Sequence, residues 1–480
     1  MSQKISVSLQ ENLAYLKNNF AVSDDFYTKP LQISGICCAV AMYTGVSSAE
    51  RLCRLALDML DRDPVVLQGG AGLCRYLLQQ SRIPTEPQPV TDWQSAAEFL
   101  SGGMTLLFIE GFGGAVVLST QDMPGRSVGT PQGEGNLRGA QDAFTEHLRS
   151  NLSLLRRQFR SGTLVAEIAT ARCRAKTEYC LCYDRTLAPP ELVDALRKKL
   201  AEIEIPILLD SAYFASFFKQ DKLNLFPAAA YTERPATVCA RLCEGKLAVL
   251  VAGSPYALVV PGFFAEHFEC LDDYSSGAVF AGLIRLLKYL AFLLAVFAPG
   301  LYVMSVAFTP EIIPLQLLAK LAQGEQATPL PPMLEMLGVT LLLEIVREAG
   351  LRAPQSISHT VSLVGALILG ETAVSAGILS VPILITAAAA TIATLAVPSL
   401  YEQTILFRFA VILLAGCFGV PGLAAAAVTV LAMACGSEPF GYDYLYPLMP
   451  PGPAAWRDGF VRSIWSRLAR AGEVIGRDEA

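Results

Sequence analysis

Apolar and polar positions divide this chain into two unlike parts. Up to residue 278, short apolar runs alternate with amphipathic stretches of helical period; from 279 to 455, long apolar runs carry few charges. In the first part, Ile36–Tyr43 is a strand-length apolar run, and Ala49–Leu60 follows with a helical pattern. Met104–Glu110 and Ala115–Ser119 are apolar runs joined by Gly111-Phe112-Gly113-Gly114, which predicts a hairpin. Gly69-Gly70-Ala71-Gly72 reads as a turn before a helix at 73–80. Residues 121–139 turn to Gly, Pro, Gln and Ser and read as a linker. Beyond it the pattern predicts a helix over Asp142–Phe159, a strand over Thr177–Tyr183, and a helix opening at Pro189-Pro190 with Leu192, Leu196 and Leu200 on one face. A further helix near 235–243 leads into a hairpin, 246–252 and 256–260, around Gly253-Ser254-Pro255. The helix 142–159 carries Arg149, Arg156, Arg157 and Arg160, either as a solvated face or as a basic face toward anionic lipid or an acidic partner.

The second part has the pattern of a bilayer-spanning region. About 20 apolar residues cross about 30 Å of hydrocarbon, and 286–307, 361–379, 380–398 and 405–435 meet that length, the last with Pro421-Gly422 in its middle as a hairpin of two short helices. Lys320, Glu325, Glu335 and Glu344 interrupt 312–346, which suits an amphipathic, re-entrant or pore-facing element. The expected architecture is an α/β soluble N-terminal region of two small subdomains followed by an all-α polytopic membrane domain of about four to six helices. Its expected boundaries are 1–120, a linker 121–139, 140–278, a transmembrane domain 279–455 and a polar tail 456–480. Between Ala353 and Tyr401 the single fixed charge is Glu371. A carboxylate at membrane depth is either neutral and hydrogen-bonded between helices or part of an ion or water path. Ser362, Gly365, Ala366, Gly370, Glu371, Ala373 and Gly377 place small and polar groups on one segment, and Ala366–Gly370 and Ala373–Gly377 are small-x3-small spacings. Such a helix either joins a ring around a cation path or packs laterally inside one subunit.

Charge and rare residues narrow the chemistry. The chain carries 37 Lys and Arg against 43 Asp and Glu, and 15 of these charges fall in 279–455. No basic stripe interleaved with aromatics marks a nucleic-acid surface. The N-terminus lacks the apolar core of a signal peptide, while Arg285 and Lys288 precede the apolar half and Arg457, Arg462, Arg467 and Arg470 follow it. Both ends are therefore expected in the cytosol. Among 12 cysteines, Cys37-Cys38, Cys180-x-Cys182 and Cys239-x3-Cys243 lack zinc-knuckle spacing, and His147, His267 and His359 are the three histidines. With no phosphate loop, nucleophile elbow or dinucleotide motif, no catalytic residue, cofactor or metal site is expected, and an enzyme is not expected.

Specific strings then point to a family. Asn136-Leu137-Arg138-Gly139, Asp142-x-Phe144-Thr145-Glu146 and Asn151-x3-Leu155-Arg156-Arg157 are followed in order by Thr232-Glu233-Arg234-Pro235, Glu244-Gly245-Lys246, Gly253-Ser254-Pro255 and Asp272-Asp273-Tyr274. In the apolar half come Pro310–Pro314, Arg347-Glu348-Ala349-Gly350-Leu351-Arg352-x-Pro354, Val364-Gly365-Ala366, Gly370-Glu371-x-Ala373-Val374 and Tyr444-Leu445-Tyr446-Pro447-Leu448-x-Pro450. Together these resemble the GerA family of spore germination proteins. The resemblance implies a multi-pass protein of the spore inner membrane, with its N-terminal region cytosolic. It implies a homo-oligomeric channel whose partners are membrane lipid, monovalent cations and other germination membrane proteins. Within the family, Ala143 departs from the usual glycine before the Phe, while Gly370-Glu371, Ala393-Thr394-x2-Val397-Pro398-Ser399 and Ser101–Thr105 lean toward the stage V sporulation protein AF branch, which amplifies ion release. Arg347–Pro354 leans toward the nutrient-sensing receptor A subunits. A non-conducting scaffold that gathers germination receptors is the remaining alternative.

Overall fold

A computed structural model of the chain describes residues 4–48, 69–79, 87–121, 130–219, 223–316, 328–352, 368–449 and 458–468, less 21, 34, 45, 132, 137 and 138, together with 318, 354 and 365. The chain forms two compact units, Met1–Lys219 with Ala229–Gly262, and Gln220–Ala228 with Phe263–Leu468.

The first unit opens with α1 (Leu9–Asn19), then the paired strands β1 (Phe26–Ile33) and β2 (Ile36–Tyr43). α2 (Gly69–Gln79), β3 (Gln88–Val90), α3 (Trp93–Ser101), β4 (Thr105–Ile109) and β5 (Ala115–Leu118) complete an antiparallel sheet of order β1-β2-β4-β5-β3. Successive side chains of a strand point to opposite faces, and here both faces of β4 and β5 are covered. Leu106, Phe108, Ala115 and Val117 pack on Leu16 of α1 and on Trp93, Ala96 and Leu100 of α3. Leu107, Ile109, Val116 and Leu118 pack on Leu73 and Leu77 of α2. Double coverage explains why these strands read as unbroken apolar runs.

The same plan is then repeated. α4 (Leu148–Gln158), β6 (Leu164–Thr170), β7 (Glu178–Asp184), α5 (Pro190–Glu202), α6 (Ala212–Phe218), β8 (Ala230–Thr232), α7 (Pro235–Cys243), β9 (Leu247–Val251) and β10 (Ala257–Val260) form a second antiparallel sheet of order β6-β7-β9-β10-β8. Gln88, Trp93, Thr105 and Ala115 begin elements matched in length by those beginning at Ala230, Pro235, Leu247 and Ala257, always 142 residues later. The hydrogen bonds repeat as well: Ile5 N donates to Thr91 O (2.9 Å) as Phe144 N does to Glu233 O (2.8 Å), and Gly111 N donates to Val7 O (3.1 Å) as Gly253 N does to Glu146 O (2.8 Å). Before each first helix an asparagine clamps a peptide. Asn12 accepts from Ser6 N (3.0 Å) and donates to Ser6 O (2.7 Å). Asn151 accepts from Thr145 N (2.7 Å) and donates to Thr145 O (2.5 Å). The turn into each central strand uses a left-handed glycine, Gly103 at φ +84° and Gly245 at φ +82°.

Several expectations need correction. The glycines at 69–72 lie inside the first turn of α2 rather than before it. The helix expected over 142–159 begins at Leu148, because residues 140–147 are not helical and lead into the clamp. The pairing partners β1 and β6 were not foreseen, since their mixed composition (FYTKPLQI and LVAEIAT) gives no clean alternation. The helical pattern 49–60 lies outside the described residues.

The second unit is helical: α8 (Ala278–Ala307), α9 (Pro332–Arg352), α10 (Val381–Thr394), α11 (Tyr401–Phe418) and α12 (Val420–Cys435). α8 and α11 meet closely, since a Cβ on Gly300 would lie 2.5 Å from Val411 Cγ1. Their shared core holds Phe292, Val296, Phe407 and Val411 with Phe226 and Tyr444. The expected break inside 405–435 falls at Gly419, whose φ of +65° places its missing Cβ against the Phe308 ring, and Pro421 opens α12. Among the described residues, two helices, Ala278–Ala307 and Pro398–Phe418, are long and apolar enough to cross a membrane. The segment expected at 380–398 is shorter, as α10, and 361–379 is not one continuous helix where described.

Candidate functional site in the apolar helical region

The stretch 368–380 breaks helical regularity inside the most apolar part of the chain. Ile368–Thr372 forms a π-helical turn, Ala373–Ser375 one further turn, Gly377 adopts φ +68°, and Ser380 is the N-cap of α10, with Pro382 in its first turn. Single π turns within helices recur at functional sites, and non-helical backbone at membrane depth is tolerated where protein or a wet cavity surrounds it. Glu371 is exposed on the π turn and has no hydrogen bond or ion pair among the described residues. A Cβ added at Gly370 beside it would meet nothing within 4 Å. Gly365 differs, because a Cβ there would lie 2.9 Å from Val346 Cγ1 of α9. Ala373 packs on the cluster of Val303, Met336, Leu379 and Ile383. Thus, of the seven residues grouped by sequence, Gly365 and Ala373 serve packing within the subunit and Gly370 and Glu371 face outward; Gly377 is half-buried, and Ser362 and Ala366 lie outside the described residues. From α9, the buried Glu335 accepts a hydrogen bond from Ser380 N and so anchors the end of the irregular stretch.

A buried charge network that sequence reading missed joins four helices. Arg408 of α11, 1% exposed, donates through Nε to Ala295 O of α8 (2.8 Å) and through Nη2 to Ala390 O (3.0 Å) and Thr394 Oγ1 of α10. Its Nη1 stands 3.6 Å from Glu344 Oε1 of α9. Glu344 also accepts from the Tyr401 hydroxyl and from Arg347 Nε (3.0 Å), and the Arg347 guanidinium lies 3.9 Å over the Tyr401 ring. Glu348 pairs with Arg347 at 3.7 Å and with Arg352 at 2.6 Å. The available signal was a lone arginine in an apolar run, which is retained only where partners are supplied. At the start of α8, Arg285 is fully buried against Asp273 (3.2 Å), Asp458 (3.0 Å) and Glu269 (3.7 Å), and Tyr274 donates to Asp458 (2.8 Å).

In the first unit most of the described motif residues pack or hydrogen-bond within the fold. Arg156 was expected on a basic helix face, but it is fully buried: Nε and Nη2 grip Asp25 at 3.0 and 2.8 Å, Nη2 also reaches Ser23 Oγ (2.9 Å), Nη1 reaches Leu164 O (2.9 Å), and Tyr43 lies 3.9 Å beneath. Desolvation opposes that charge, yet Asp25 and Tyr43 hold it, so the guanidinium pKa moves up. Arg149 and Arg160 are exposed, as a solvated face requires, and Arg157 pairs with Asp142. Phe144 is core, Glu146 is exposed, and Asn151 is the clamp described above. Thr232 donates to Glu134 (2.9 Å), Glu233 accepts from Gly133 N (3.0 Å), and Arg234 binds Glu134 O and Ala140 O (2.6 Å), while Pro235 opens α7. This string therefore holds Gly133, Glu134 and Ala140 against the end of the second sheet. Burial pushes the Glu134 carboxyl above its ordinary range, although the Thr232 bond and the Arg234 charge pull the other way. Gly139 sits at φ +107° in the same loop, and Arg138 lies outside the described residues.

A family profile described as Bacillus/Clostridium GerA spore germination protein matches residues 14–473. The chain is similar to spore germination protein KA of Bacillus subtilis (strain 168), 29% identical over 481 residues that cover 99% of this chain and 88% of that protein. It is similar to stage V sporulation protein AF of the same organism, 26% identical over 387 residues, covering 79% of this chain and 78% of that protein. The crystal structure of the N-terminal domain of the A subunit of the Bacillus megaterium spore germinant receptor GerK3 aligns at a TM-score of 0.43 and 22% identity, covering 55% of this chain and 98% of that one.

Proposed function

The chain belongs to the GerA family of spore germination proteins, and on that premise we propose that it is a subunit of an oligomeric cation channel of the spore membrane that amplifies ion release. Its N-terminal α/β unit lies on the cytosolic side, and it works beside other germination membrane proteins. The observation that carries this reading is Glu371, an exposed carboxylate on a π turn in an apolar region. Facing lipid, such a group costs several kcal/mol; facing a neighbouring copy around a wet axis, a ring of such groups favours cations. Gly370 next to it leaves room for the backbone to approach that axis.

Reconstitution in liposomes tests the proposal. Potassium flux is expected from wild-type protein, reduced in Glu371→Gln and Glu371→Ala. Absence of flux under every condition refutes the channel, and equal flux in all three proteins refutes the role of Glu371. A nutrient-gated receptor subunit is the second reading, supported by the longer match to spore germination protein KA than to stage V sporulation protein AF. It requires flux that rises on adding a nutrient to the liposomes, whereas an amplifier conducts without one.

A further inference from the structure

We propose that Glu335 of α9 and Ser380, the N-cap of α10, form a binding site for a dehydrated monovalent metal cation. Glu335 is 1% exposed and Ser380 3%. One carboxylate oxygen, Oε1, takes the Ser380 backbone N–H. The other, Oε2, is buried without a hydrogen-bond partner among the described residues, and so is Ser380 Oγ. Because Ser380 Oγ is three bonds from the nitrogen that Glu335 already holds, the two unsatisfied oxygens lie within reach of one small ion.

Charge decides what kind of ligand fits. Among the described residues no Lys, Arg or His stands within ion-pair distance of Glu335. The N-terminus of a 14-residue helix supplies about half a positive charge, which leaves about half a negative charge uncompensated in an apolar setting where unpaired charge is expensive. Water would satisfy the oxygens and leave the charge. A divalent ion ordinarily takes several carboxylates, and here there is one. A monovalent cation satisfies both the oxygens and the charge. The surrounding geometry agrees, since the helical turn ending at Ser375 and the start of α10 at Val381 leave an unwound stretch between them, and unwound backbone between helix segments supplies carbonyl ligands to bound ions in membrane proteins. The site is internal to one subunit and does not require that Glu371 or any other residue conduct.

The test uses full-length purified protein in detergent. Thermal unfolding is followed at fixed pH and ionic strength in potassium, sodium or N-methyl-glucamine chloride. A saturable rise in unfolding temperature is expected with potassium or sodium and not with the bulky organic cation. Glu335→Gln, which keeps the Ser380 contact, is expected to abolish the rise, and Ser380→Ala, which keeps the backbone N–H, is expected to raise the half-saturating concentration by about tenfold. Equal unfolding temperatures in the three salts, or an ion-specific rise that survives Glu335→Gln, overturns the proposal. Stabilisation by acid with no ion preference also overturns it, by making the ligand a proton. If Glu335→Gln does not fold, an unchanged half-saturating concentration in Ser380→Ala is decisive against the site.

Discussion

Replacing Arg156 by Met should be among the most damaging single changes in the α/β unit. The side chain is fully buried and makes four hydrogen bonds of 2.8–3.0 Å, two to Asp25, one to Ser23 and one to the Leu164 carbonyl. Met fills much of the volume but supplies no donor. It strands Asp25, 2% exposed, as an unpaired buried carboxylate, and breaking a buried pair in this way costs about 3–5 kcal/mol. That is a large share of the about 5–15 kcal/mol that holds a typical domain together. Removing both charges together, in Asp25→Leu with Arg156→Met, leaves no stranded ion, so the double variant should be at least about 2 kcal/mol better than the sum of the singles. Urea unfolding read by Trp93 fluorescence measures this. Trp93 is buried between Tyr15 and Phe108, with ring centroids 4.0 and 5.5 Å away, and replacing Trp456 and Trp465 by Phe makes it the sole reporter. A loss below about 1 kcal/mol for Arg156→Met, or a double variant equal to the sum of the singles, refutes the reasoning.

Two further expectations concern the same unit. Asn12→Ala and Asn151→Ala each remove a two-way peptide clamp, and each should cost about 1–3 kcal/mol. Asn151 should cost the more, because it accepts a third bond from the Thr145 hydroxyl at 3.1 Å; near-zero loss at either position in a urea titration would show the clamp to be idle. Burial raises the Glu167 carboxyl, but bonds from Arg197 and Tyr183 outweigh it and bring it below its usual range. A depressed carboxylate contributes stability above its unfolded-state value and loses it as pH falls through the folded one. Arg197→Met should therefore destabilise at pH 7 by about 0.5–1 kcal/mol, modest because Arg197 is half-exposed. The gap from wild type should close in strong acid, and a gap that is constant between pH 7 and pH 3 contradicts the assignment.

Local pattern made much of the fold legible. The β4–β5 and β9–β10 hairpins, α5 and α7 were visible because apolar runs, turn glycines and opening prolines sit next to one another in sequence. What escaped were relations between distant residues. Arg156 looks like one of several arginines on a helix, since the Asp25 that buries it is 131 residues away. Arg408 hides in the same manner, held by carbonyls of two other helices. The duplication escaped because the two sheets share positions rather than side chains: the clamp asparagines, the left-handed glycines and the element lengths agree, while Asp92 and Arg234 occupy the same N-cap. In the apolar region, composition identified Glu371 but could not show that its segment is a π turn with packing residues on one side and open space on the other.

The Arg156–Asp25 grip has a consequence in terms of symmetry. It joins the two repeats head to tail: the helix opening the second copy receives the loop that follows the helix opening the first. A contact of that kind has no natural end, because each copy retains the surface its neighbour has used, and further copies can be added in the same sense. In this chain two positions do not repeat the grip. Lys17, which occupies in α1 the place that Arg156 holds in α4, is exposed. The loop 159–163 that follows α4 contains no carboxylate to offer a third copy. One buried ion pair thus tells the first repeat from the second.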